Sequence, residues 1–147
     1  MTPSPYRHLT ARTERGVLVL TITEAKIQGE DVAATLRQEM LQAVESTACN
    51  RVVIDFQHAQ YISSAAFRPL LTLRRKLQEQ GGRVMLCSLS PVIGDIFYTT
   101  RMIGDDGSIT RVFEVERDAE SAVARLAAEI ANHETHEKHE TNSAQEP

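Results

Sequence analysis

RVVIDFQHAQYISSAAFRPLL, residues 51–71, changes its apolar period partway along. Val52, Val53, Ile54 and Phe56 form the near-continuous β-branched and aromatic run of a strand covered on both faces, Arg51 to Phe56. A brief polar loop follows. From Ala66 the apolar residues fall at helical spacing, Ala66, Leu70, Leu73 and Leu77, with Phe67 and Leu71 beside them. Ser64 stands just before that periodicity and is an N-cap candidate, with Ser63 a weaker one. A hydroxyl in that place is capped, bonded or modified, and each outcome changes the charge at a helix terminus. Pro69, five residues after Ser64, lacks an N–H, so the pattern predicts a helix that starts later than Ser64 or has a distorted first turn.

On the N-terminal side, Thr10 to Arg15 and Gly16 to Thr23 read as two strands joined at Glu14-Arg15-Gly16. Glu30 to Ser46 is a helix with Val32, Leu36, Met40, Leu41 and Val44 on one stripe, and Glu30 and Asp31 suit the positive end of its dipole. On the C-terminal side, the second helix runs from Ser64 to Gln80, and Gly81-Gly82 ends it. Arg83 to Cys87 is another strand. Pro91 opens a third helix as its first residue. Residues 104–108, GDDGS, form a polar loop, and Arg111 to Val115 a short strand. Asp118 caps a last helix with the stripe Ala119, Val123, Leu126, Ala127 and Ile130. Strands alternating with helices of this length predict an α/β domain: a mixed sheet of four to five strands with about four helices on its faces.

Residues 1–10 hold two prolines and no periodicity, so they read as a flexible lead. The domain then covers 11–131, and 132–147, NHETHEKHETNSAQEP, reads as a disordered polar tail without core-forming residues. One domain of ordinary size with a mainly aliphatic core fits 147 residues, 41% of them apolar, with no Trp. A net charge of −4 argues against a nucleic-acid surface as the main role. No apolar run approaches the ~20 residues of a membrane span, and MTPSPYRHLT has no signal-peptide pattern. The two cysteines, Cys49 and Cys87, give no disulfide framework and read as small buried hydrophobes. The expected setting is the cytoplasm.

Aromatic-Ile-Ser-Ser-Ala-small-apolar-Arg between an apolar strand and an amphipathic helix ending in Gly-Gly resembles the STAS domain of bacterial anti-anti-sigma factors, also called anti-sigma factor antagonists. Arg83 to Cys87 with Leu89-Ser90-Pro91 resembles the family's next strand and turn. The segments 97–103 and 111–115 resemble its third helix and closing strand. The most specific segment is Ile62-Ser63-Ser64-Ala65. The resemblance implies a STAS-like fold and a non-enzymatic regulator that works by partner switching. Unmodified, it binds an anti-sigma factor that is also a serine kinase; phosphorylation of Ser64, the position matching the family's modified serine, breaks the contact, and a serine phosphatase restores it. The family's best-known pattern has Asp before that serine and Ser-Gly after it. Ser63, Ala65 and Ala66 stand there in this chain, which leaves Ser63 open as the alternative acceptor.

The expected partner surface is Ser63, Ser64, Arg68, Thr72 and Arg75. Arg68, four residues after Ser64, is placed to pair with a phosphate or with an acidic partner. Arg75 and Glu79 also have the spacing to pair with each other, and on spacing alone Ser63 and Ser64 read as helix caps. Two rival readings keep the fold: a constitutive scaffold or transporter-associated STAS subunit with Ser64 only capping, and a small-ligand or nucleotide-binding module using the strand C-termini.

No catalytic, cofactor or metal site is expected. His58 and Asp55 lie near the serines, but no Gly-x-Ser-x-Gly elbow accompanies them. His133, His136 and His139 fall in a solvated tail, and Asp105-Asp106-Gly107 lacks the remaining ligands of a calcium loop.

Overall fold

Arg15 and Gly16 both adopt positive φ, 55° and 81°, the two-residue turn whose twist matches that of paired strands. They join β1 (Leu9–Glu14) to β2 (Val17–Ile22) in the antiparallel hairpin expected from the sequence. The computed structural model describes residues 5–102 and 112–145, the last thirteen as backbone alone. All six residues of β2 are buried, as a strand covered on both faces requires. Parallel to it lies β4 (Arg51–Asp55), from Leu18 opposite Val52 to Thr21 opposite Asp55. β6 (Arg83–Cys87) and β7 (Glu114–Glu116) continue the parallel set, in the order β1-β2-β4-β6-β7. A separate parallel pair, β3 (Lys26–Ile27) and β5 (Tyr61–Ile62), stands apart from this sheet.

The two-residue side-chain period sends alternate residues to opposite faces. Leu18, Leu20, Ile22, Val52, Ile54 and Leu86 meet α1 (Glu30–Thr47), α2 (Phe67–Glu79) and α3 (Pro91–Thr99). Val17, Val19, Val53 and Met85 meet Ala122, Val123 and Leu126 of α4 (Ala119–Gln145) on the other. A sheet of five strands between four helices is the α/β architecture the patterning predicts.

Apart from shifts of one residue at the ends of β1, β2, β4, α1 and α2, four boundaries differ from the sequence expectation. Leu9 is buried and pairs with Ile22, so the lead before the domain is shorter than residues 1–10. The amides of Val112 and Phe113 turn back to the Met102 carbonyl, at 3.1 and 2.7 Å, so the closing strand is Glu114–Glu116 and not Arg111–Val115. The third difference is in α2, which begins at Phe67 rather than Ser64. Finally, α4 is continuous to Gln145, past residue 132, where loss of apolar residues predicts disorder. No glycine or proline interrupts 119–145, so nothing in the backbone chemistry stops the helix there. The loop 104–108 and Arg111 lie outside the described residues.

The start of the domain is held by a buried acid. Glu39, on α1, is 7% exposed; its Oε2 accepts from the Arg7 amide at 2.6 Å and its Oε1 from the His8 amide at 2.9 Å. Removing the carboxylate leaves two amides without their acceptor. Glu39→Ala is therefore expected to lower stability by about 2 kcal/mol and to release the start of β1. Urea unfolding with amide exchange at Leu9 and Ala11 checks both. On the opposite face, Arg83 pairs with Glu114 and Glu129, and Arg125 with Glu116 at 2.7 Å. These pairs tie α4 to β6 and β7. Arg51 Nε lies 3.4 Å from Glu129 Oε1, an ion-pair separation without hydrogen-bond alignment.

Candidate functional site

The loop after β4 is fixed by backbone bonds that no side-chain pattern announces. Gln60 N and Tyr61 N both donate to the Ala25 carbonyl, at 2.7 and 3.1 Å, and Ser63 N donates to Ile27 O at 2.9 Å. The β3–β5 pair therefore clamps Tyr61-Ile62-Ser63 against the link into α1. Ala66 N then closes on Ser63 O at 3.0 Å, and Ser64–Ala66 form a single 3₁₀ turn leading into α2. This accommodates Pro69. Counted from Phe67, it is the third residue of α2, where the N–H would have no intrahelical acceptor anyway.

The two serines separate cleanly. Ser63 is the one in the N-cap position, with extended backbone (φ −90°, ψ 164°), and Ser64 is the first residue of the turn, which corrects the expected order. Neither side chain makes a capping bond. Ser63 Oγ is buried and has no hydrogen-bond partner among the described residues, while Ser64 is exposed. Among the helices of the described residues, only α2 starts with neither an acidic first turn nor a side-chain cap. α1 has Glu30 and Asp31, α3 is capped by Ser90 Oγ on Ile93 N at 3.2 Å, and α4 by Asp118 on Ser121 N at 2.8 Å. Its positive end is thus left unneutralised beside a free hydroxyl.

Arg68 is exposed and pairs loosely with Glu30 at 3.6 Å, which brings the start of α1 beside that of α2. Thr72 is half-buried and Arg75 exposed on the same helix. Arg75 makes no ion pair with Glu79 or with any other described residue. Sequence reasoning missed an apolar component. Tyr61 is 41% exposed directly before Ile62 and Ser63, and Val92 and Tyr98 are 55% and 52% exposed on α3, which packs against β5. The signal was present, since Val92 and Tyr98 fall off the stripe Ile93, Ile96, Phe97 that α3 turns inward.

Asp55 lies 2% exposed at the C-terminal end of β4. It accepts from Gln57 N at 3.0 Å, from Gln57 Nε2 at 2.9 Å and from Thr21 Oγ1 at 3.5 Å. Its oxygens hold the loop in place, and His58 is exposed in that loop. Beside it, burial pushes the Cys87 thiol from 9.0 up to about 12, with a Ser88 hydrogen bond opposing and Asp55 adding to the rise. Between those two values the folded state holds a proton that the unfolded state has lost. The contribution is complete below pH 9 and is lost as pH rises to 12, at on the order of 1.4 kcal/mol per pH unit. Cys87→Ala is expected to flatten the alkaline fall in stability. In native protein, a thiol reagent should label Cys49, which is half-buried, well ahead of Cys87.

The side chains of His133, His136 and His139 and the segment Asp105-Asp106-Gly107 lie outside the described residues. Among the described residues, no group of three His, Cys, Asp or Glu is arranged to hold a metal ion, and no helix is long and apolar enough to cross a membrane.

Comparison with known proteins gives the frame. The family model of the STAS domain matches residues 8–119. A Bordetella bronchiseptica protein named as an anti-sigma factor antagonist, BtrV, is 31% identical over 74 residues, which is 50% of this chain and 58% of that relative. The chain thus covers less than two thirds of the relative's length. The structure of the anti-sigma factor antagonist SpoIIAA in its unphosphorylated form superposes with a TM-score of 0.65 at 16% identity, over 82% of this chain and 96% of that one. The Bacillus protein SpoIIAA in its phosphorylated form gives 0.58 at 16% identity, over 80% and 98%. At such identities the structural likeness is one of fold.

Proposed function

The chain belongs to the STAS domain family, and on that premise we propose that it is a non-enzymatic anti-sigma factor antagonist switched by phosphorylation of Ser64. The unmodified face around Ser63, Ser64, Arg68, Thr72 and Arg75 binds an anti-sigma factor that is also a serine kinase. A phosphate on Ser64 opposes that contact, and a serine phosphatase removes it. The exchange takes place in the cytoplasm.

One observation carries the choice of residue: Ser64 is exposed at an uncapped helix start, while the Ser63 hydroxyl is buried. A phosphate adds roughly −1.5 to −2 charges at pH 7. At this place it meets the positive end of α2, which no acid or cap neutralises, so it costs the fold little. A partner seated on the same surface must then desolvate a dianion or meet it with like charge. The Bacillus protein of the same fold, known with and without phosphate, supports the reading by analogy. A scaffold in which Ser64 serves only as a cap is less well supported, because its side chain makes no capping bond. Intact-mass measurement with site localisation, on protein from its native host before and after phosphatase treatment, tests the proposal. One phosphate on Ser64 supports it. Protein that stays unmodified under every growth condition, and with the co-expressed cognate kinase, overturns it.

A further inference from the structure

The outer face of α2 carries a charge opposite in sign to the whole chain, and Arg37 stands beside it on α1, a helix that is itself acidic through Glu30, Asp31 and Glu45. The chain bears −4, yet α2 holds Arg68, Arg74, Arg75 and Lys76 against a single acid, Glu79. Two of these cations are answered, Arg68 by Glu30 at 3.6 Å and Lys76 by Glu45 at 3.7 Å. Arg74, Arg75 and, on α1, Arg37 have no ion-pair partner among the described residues. Two open grooves flank the ridge of Arg68 and Thr72. One, of about 280 Å³, lies between the helices over Ala33 and Ala34 and is bordered by Arg37 and by the Arg68–Glu30 pair. The other, of about 580 Å³, lies along α2 between Arg68, Arg74 and Arg75, with Leu71 in its lining.

From this we infer that the α1–α2 face docks an acidic polypeptide segment of the protein partner, seated along the ridge with its carboxylates on Arg37, Arg74 and Arg75. Guanidinium groups bind carboxylates in paired, directional hydrogen bonds. Arg37 and Arg75 are exposed and Arg74 half-buried, so these cations are available for such bonds. The small Ala33 and Ala34 and the aliphatic Leu71 offer helix-sized relief between them. An acidic segment is drawn to this cluster of unanswered guanidinium groups, and their field orients it. The same features disfavour nucleic acid and anionic membrane. No aromatic side chain lines either groove for bases to stack on, and the overall negative charge opposes a polyanion or a charged bilayer. The inference rests on the reading that this end of the molecule faces a protein partner, and it extends that surface from α2 onto α1.

The test uses the full unmodified chain and a fluorescein-labelled alanine helix striped with glutamate. Binding should be seen at low salt, should weaken toward physiological ionic strength, and should shift the amides of α1 and α2. Arg37→Glu and Arg75→Glu, both exposed and remote from the core, should each weaken it about tenfold, one tenfold step being ~1.4 kcal/mol. Arg12→Glu, on β1 at the far edge of the sheet, should leave it unchanged. Equal loss in Arg12→Glu, amide shifts confined to another face, or displacement of the peptide by an RNA oligonucleotide or anionic vesicles at equal charge would each overturn the inference. The peptide assay needs no phosphate, so a Ser64 that is never modified sinks the switch and leaves this face standing.

Discussion

Ser64→Ala is expected to abolish phosphate acceptance outright, and Ser63→Ala to leave it intact. A kinase must bring the acceptor oxygen into its own active site. Ser64 is exposed at the first residue of the 3₁₀ turn. Ser63 Oγ is buried under that turn, and its backbone is held on both sides, by Ser63 N on Ile27 O and Ala66 N on Ser63 O. Reaching Ser63 would mean unpicking the β3–β5 clamp. Its hydroxyl also has no partner, so Ser63→Ala removes a desolvated polar group and should be neutral or stabilising by about 1 kcal/mol. Intact mass after incubation with the cognate kinase reads the first effect, and thermal melting the second. A phosphate retained in Ser64→Ala and lost in Ser63→Ala would reverse the assignment.

Gly82→Ala is expected to be the most damaging single-methyl change in the domain, and Gly81→Ala a mild one. The pair looks redundant in sequence, as a helix stop. In the structure the two glycines are required for different reasons. Gly81 has φ +74° and open space where a side chain would stand, so alanine there meets only the left-handed penalty of roughly 1–2 kcal/mol. A Cβ on Gly82 would come within 2.1 Å of the Asn50 carbonyl oxygen. That oxygen already accepts the Arg83 amide at 2.9 Å, at the first rung between β4 and β6. Since the obstacle is backbone, it cannot rotate away, and the central strands must separate. The expected loss is about 3 kcal/mol or more, read as the shift in urea midpoint between the two variants.

Legibility in the sequence followed the length of each signal. The central strand Arg51–Asp55, α1 and α3 carried long apolar runs or a distinct first residue such as Pro91, and their places could be read directly. β3 and β5 could not, because two residues have no period and their bonds run from Ala25 and Ile27 to residues far along the chain. That same clamp sets the exposure of the two serines, so the choice between Ser63 and Ser64 was open in sequence and the N-cap order came out reversed. Pro69 did signal the altered first turn, through its missing N–H. Val112 and Phe113 misled: they read as strand, yet Phe113 is buried against Phe97, with ring centroids 6.4 Å apart, and only Glu114 onward pairs with β6. Unanswered charge was equally hidden. Arg68 and Arg75 were visible as a helix face, but that Arg37 shares it depends on how α1 packs beside α2.

The central claim is that a charge at Ser64 decides whether the partner stays bound. The most direct measurement is a paired titration of the host's anti-sigma factor with unmodified protein and with protein phosphorylated on Ser64, at one fixed ionic strength. A loss of about a hundredfold in affinity on phosphorylation, corresponding to roughly 3 kcal/mol, is the expected result, with the melting temperature little changed. Equal affinity of the two forms, each shown to be folded, would contradict the account.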